Sequence, residues 1–149
     1  MSAPLRYVDE VFDKIDKASG DEKVALLKEW GSKHPYNMLL SLNFDDRVQF
    51  DLPEGMPPYK RDESQHPDTY QTTLSQQIKR LGAIIKGRNN LPRLKREAIF
   101  IQVLEGIPHK EADVLVFAKD GALNELYPTI TRELVAEHFP NFSHVSNAK

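Results

Sequence analysis

The 149-residue chain contains no cysteine and no uninterrupted apolar run near the length of a bilayer span. The absence of cysteine excludes a disulfide scaffold, a thiolate zinc site and a thiol nucleophile together. A membrane helix needs ~20 consecutive apolar residues, and nothing here approaches that. The opening stretch MSAPLRYVDEVFDKIDK is charged and lacks an apolar centre, so it does not read as a secretory leader. Glycine is sparse, at seven residues, and the ten prolines follow no repeat, so a collagen-like or low-complexity chain is also excluded. The phosphate-binding GxxxxGK[ST] and GxGxxG patterns, the GxSxG nucleophile turn and the HExxH metal pair are missing too. With 40% apolar and 28% charged residues, the remaining expectation is one soluble, intracellular globular domain.

The net charge of −2 hides a segregation. Residues 1–68 carry nine basic and fourteen acidic side chains, and residues 97–149 carry four and eight. Residues 69–96 between them hold seven basic groups and no acid. A near-neutral total argues against a general nucleic-acid coat, while the basic segment suits a local anion-binding face.

Apolar spacing places helices along most of the chain. Tyr7, Val8, Val11, Phe12 and Ile15 form one stripe over residues 6–18. A second helix starts near residue 21, behind Ser19 or Asp21 as cap, and ends around Gly31. A third, opened by Pro35, carries Met38 to Leu42. Residues 47–52 alternate polar and apolar, as a short extended segment does. Residues 53–68 are proline-rich and form a loop expected to wrap Met56 and Tyr59 onto the helices. A long helix is expected from residue 68 or 69, with Gly82 as a packing glycine and Gly87 as its cap. Further helices are expected over 92–105, with Leu94, Ala98, Ile101 and Leu104 inward, and over 108–119. A short turn or helix at 122–127 and a last helix capped by Thr129 complete the series. The expected fold is mainly α, a compact multi-helix domain of six or seven helices with at most a short extended segment. Its parts are an N-terminal helical unit (1–52), the proline-rich loop (53–68), a C-terminal helical unit (69–142) and a tail (143–149).

The run LKREAIFIQVLEGIPHKEADVLVFAKDGALNELYPTITRELVAEHFP (94–140) and the upstream LPEGMPPY (52–59) resemble a family of small proteins of unknown role. That family is encoded by T4-type bacteriophages, marine cyanophages among them. The resemblance covers roughly residues 35–142 and implies a viral source, not a reaction. It carries no residue role with it.

The candidate binding residues are Lys79, Arg80, Lys86, Arg88, Arg93, Lys95 and Arg96, at one helix end, a turn and the start of the next helix. Guanidinium and ammonium groups in such a cluster attract phosphate or carboxylate. Cations at the end of helix 69–87 suit its dipole, but Arg93, Lys95 and Arg96 in a first turn do not. Docking of this segment on the acidic N-terminal unit is the intramolecular alternative. A helix-turn-helix reader is disfavoured, because the last helix carries Glu133 and Glu137 against Arg132. His34, His66, His109, His138 and His144 are scattered, and His138 reads as a hydrogen-bonded core histidine rather than a metal ligand. Asp9-Glu10 and Asp45-Asp46 are adjacent pairs, read as solvated or capping groups rather than an acid/base dyad. Ile99, Phe100 and Val103, with Val114 and Phe117, add second apolar faces that suit either a central helix pair or an interface. The functional expectation is a non-enzymatic phage accessory protein, without cofactor or metal, in the cytoplasm of the infected host. It would bind a host or phage macromolecule, a protein foremost and nucleic acid otherwise. A virion or assembly component held by homo-oligomeric contacts is the other alternative.

Overall fold

The computed structural model describes residues 7–33, 35–45, 49–50, 52–53, 55–59, 69–85 and 91–139. Among them are eight α-helices: α1 (Val8–Lys17), α2 (Gly20–Gly31), α3 (Tyr36–Phe44), α4 (Leu74–Leu81), α5 (Arg93–Gly106), α6 (His109–Lys119), α7 (Leu123–Leu126) and α8 (Arg132–His138). The one antiparallel contact between extended residues there is a single bridge, Phe50 to Ile85. The mainly α expectation holds. The count exceeds six or seven because Leu123–Leu126 closes a helical turn of its own.

The centre is α6, which packs against α1, α3 and α7. Its Ala112, Val114, Leu115, Val116 and Ala118 are all buried. A helix apolar on most sides is surrounded on most sides, so the inner face and Val114 of the second apolar face serve the core, while Phe117 is half-buried and outside it. Against it, α1 lays Val8, Val11, Phe12 and Ile15, one stripe at i, i+3, i+4, i+7. The Phe12 ring stands 5.6 Å from Tyr36 of α3 and 5.5 Å from Tyr127, which joins three elements through aromatic contacts. Asn43 of α3 accepts a 2.9 Å hydrogen bond from the Leu123 N–H and so caps α7.

Several local expectations are corrected. The helix expected from residue 68 or 69 begins at Leu74, because Thr73 and Gln76 form a reciprocal capping box. It ends at Leu81 and passes through a 3-10 turn, Gly82–Ile84. A Cβ at Gly82 would meet nothing within 4 Å, so Gly82 is not a packing glycine; the proposed cap Gly87 lies outside the described residues. The Ser19 hydroxyl makes no capping hydrogen bond to α2. The last helix is capped by Thr131, which accepts from the Leu134 N–H at 3.2 Å. Thr129 instead bonds to Asp16 of α1, its N–H donating to Asp16 Oδ1 at 2.9 Å.

The largest correction concerns α5. Its buried residues are Phe100, Val103, Leu104 and Gly106. Of the expected inner stripe only Leu104 is buried: Leu94 is 80% exposed, Ala98 faces solvent and Ile101 is half-buried. Two overlapping apolar stripes run along this helix, and the aromatic contact between Phe50 and Phe100, at 6.0 Å, belongs to the one that faces inward. Truncating Leu104 to alanine is therefore expected to cost about 2–5 kcal/mol of stability. Leu94→Ala is expected to change it by no more than about 0.5 kcal/mol. Urea unfolding of the two variants checks this, and equal losses would show the assigned register to be wrong.

Candidate binding surface

Of the seven basic residues singled out, five are described. Lys79 and Arg80 lie in the last turn of α4, where positive charge complements the helix dipole, and both are exposed. Arg93 and Lys95 stand exposed in the first turn of α5, which holds no acid. Arg96 is half-buried and donates from Nη1 to the Leu91 carbonyl at 2.6 Å, so it serves the entry into the helix. Lys86 and Arg88 lie outside the described residues. Arg80 is tied to Gln102 of α5, which sits about 13 Å of helix along from Arg93. Four of the five described cations thus form two exposed pairs on the α4–α5 unit rather than one tight cluster. Because Lys79, Arg80, Arg93 and Lys95 face water, they are not docked on the acidic N-terminal unit.

Beside the second pair lies an apolar groove of about 480 Å³, with Leu52, Pro53 and Gly55–Pro58 on one side and α5 on the other. Its α5 wall is Leu94, Glu97, Ala98, Phe100 and Ile101. Its opposite wall includes Leu52, Pro53, Met56, Pro57 and Pro58. That wall is pinned to the C-terminal end of α6: Lys119 Nζ donates to the Pro53 carbonyl at 2.9 Å, and the Gly55 N–H donates to Asp120 Oδ2 at 3.0 Å. Gly55 has φ of +92°, a left-handed conformation that favours glycine. Tyr59 packs on the core as expected, but Met56 does not and is 41% exposed. Glu97, the charged residue in the groove wall, is paired with Arg93 at 3.5 Å.

The sequence profile of a family of unknown function, DUF6433, matches residues 11–125. The chain belongs to that family. The match runs from within α1 into α7, so both cation pairs and the groove fall inside it. No curated protein and no solved structure matches the chain.

A strongly perturbed carboxyl among the described residues is elsewhere, at Glu111, near the start of α6. Its side chain is fully buried. One oxygen accepts from the Val8 N–H of α1 at 2.9 Å and the other from the Leu74 N–H of α4 at 2.8 Å. Burial pushes its carboxyl up to about 7; the two N–H donors pull it down, and Asp9 and Glu10 push it further up. Asp9 is raised as well, first by burial and then by Glu10, against Lys110 and His109. The hydroxyl of Tyr36 is raised by burial, with Glu111, Asp9 and Glu10 adding to it. A shifted carboxyl often marks chemistry, but this one has both oxygens committed to backbone and no exposure to water. Glu111 is a structural cap shared by two helices.

The other singled-out groups are dispersed. His109 has its Nδ1 buried without a hydrogen-bond partner. His138 is not a core residue: it closes α8 half-buried, 3.9 Å from Glu137. Among the described residues no three His, Asp or Glu side chains converge as metal ligands would. His34, His66, His144 and Asp46 lie outside the described residues. Asp45, read as a solvated or capping group, is buried and stands at the C-cap of α3. The reading of the sequence missed Leu94 and Met56 as surface residues and Glu111 as a buried one. The last carried no local signal, since its partners lie 103 and 37 residues away.

The folded chain holds the Glu111 proton to higher pH than the unfolded chain does. Its contribution to stability is therefore fully present below the ordinary value of 4.5 and lost as pH rises through about 7. Unfolding free energy is expected to fall between about pH 5 and about pH 8, by up to an order of 3 kcal/mol from this group. Glu111→Gln should flatten that slope and, at about pH 5, cost about 1–3 kcal/mol, because one helix N–H loses its acceptor. Urea titrations at both pH values decide; an unchanged slope in the variant would assign the titration to another group.

Proposed function

We propose that this chain is a non-enzymatic binding protein that engages an acidic surface of a partner protein through the exposed cations of α4 and α5. The observation that carries the reading is the placement of Arg93 and Lys95. They are exposed in the first turn of a helix, where the backbone dipole disfavours positive charge. Arg93 recovers part of that cost from Glu97 of its own helix; Lys95 is exposed beside it. A carboxylate-bearing partner would offset the cost of both. Together with the resemblance to small proteins of T4-type phages, this supports an accessory role inside an infected bacterium, acting on a host or phage protein.

Nucleic acid is the other anion such cations could hold. Phosphate binding draws on a continuous cationic track. The exposed described cations are instead split into two pairs, with Glu97 on the helix between them. A protein partner therefore suits the surface better.

Fluorescently labelled poly-L-glutamate is expected to bind at low ionic strength and to be released by added salt. Arg93→Glu combined with Lys95→Glu should weaken it roughly tenfold, without lowering the melting temperature, because both side chains face water. Absence of poly-glutamate binding at low salt overturns the proposal. So does tighter binding of a short duplex DNA, which would establish the nucleic-acid alternative.

A further inference from the structure

The large hydrophobic side chains exposed among the described residues are Leu94 and Met56. They come from segments far apart in sequence and line the same groove. Single exposed apolar residues are ordinary, but two converging on one apolar recess mark a place where something binds.

The groove is built before any partner arrives. Its proline wall has little conformational freedom to lose. It is also held from behind by Lys119 on the Pro53 carbonyl and by Asp120 on the Gly55 N–H. A preformed seat reduces the ordering cost of association. The helix wall is equally fixed, because Phe100 at the groove floor is rooted in the core.

The groove's surroundings select the occupant. Arg93 and Lys95 precede and follow Leu94 in the exposed first turn of α5, with Arg93 paired to Glu97 of the groove wall, so a segment seated at Leu94 has two cations within side-chain reach. Leu94 is 80% exposed, so the recess is open along one flank. A small apolar molecule there would stay partly wet, whereas a polypeptide can fill the recess with one side chain and cover the flank with its backbone. We infer that the groove between the Leu52–Pro53 and Gly55–Pro58 segments and α5 seats one large apolar side chain of an acidic partner segment, whose carboxylates reach the exposed cations Arg93 and Lys95. This rests on the acidic-partner reading above and adds the anchor to it.

Two fluorescein-labelled peptides test the anchor: an oligo-Asp/Glu peptide with one central phenylalanine, and the same peptide with serine in that place. The phenylalanine peptide is expected to bind roughly tenfold tighter. Leu94→Ser, and independently Met56→Ser, should erase that difference while leaving the weaker charge-driven binding in place. Both substituted positions are exposed, and an unchanged melting temperature verifies the fold. Equal binding of the two peptides to the unaltered protein overturns the groove assignment and leaves the charge reading standing. Binding of neither overturns both. A protein that sediments as a dimer, and becomes monomeric with Leu94→Ser, shows that a second copy occupies the groove and overturns the partner assignment.

Discussion

A single buried carboxylate holds the ends of three helices together. Glu111 of α6 takes the first N–H of α1 on one oxygen and the first N–H of α4 on the other. Helix N-termini leave donors that burial would otherwise strand at a cost of about 1–3 kcal/mol each. Sharing one acceptor between two of them satisfies both donors and fixes where the two helices start. The apolar stripes of α1 and α4 begin at the residues so held, Val8 and Leu74. Placement of Phe12, Ile15, Ile78 and Leu81 in the core follows from these two anchor points.

The exposed surface inherits this arrangement. The start of α4 is tied to the end of α5 by the Thr72 N–H on the Gly106 carbonyl at 3.0 Å. The orientation of α5, and with it the direction in which Leu94 and the first-turn cations point, depends on α4. At the other end of α6, Lys119 and Asp120 hold the backbone of Pro53 and Gly55. One central helix therefore positions both walls of the groove, the helical wall through α4 and the proline wall directly.

Much of the architecture was legible in the residues. The α1 stripe, the apolar surround of α6 and the breaks at Gly31, Gly106 and Gly121 follow from helical periodicity and helix-terminating chemistry. The start of α4 was also written locally, in the Thr73–Gln76 box, although the upstream Tyr70 suggested a longer helix. The candidate site was half legible: the basic segment stood out in the charge distribution, and the structure exposes four of its members. The apolar half was not, because Leu94 and Ala98 have the spacing of an inner face. Nothing local distinguishes them from Phe100 and Val103.

By itself, then, the amino-acid sequence determined the helices, their polarity of charge and the identity of the cations. These depend on neighbours within a few residues, through turn-to-turn spacing, capping and the local density of Lys and Arg. Tertiary structure alone decided which side of α5 meets the core, which apolar residues remain outside, and that Glu111 is inside. Those outcomes are set by which backbone groups and side chains arrive opposite one another from dozens of residues away. A carboxylate near a helix start is ordinarily a surface group; it becomes a buried cap only when two other helices bring their free N–H groups to it.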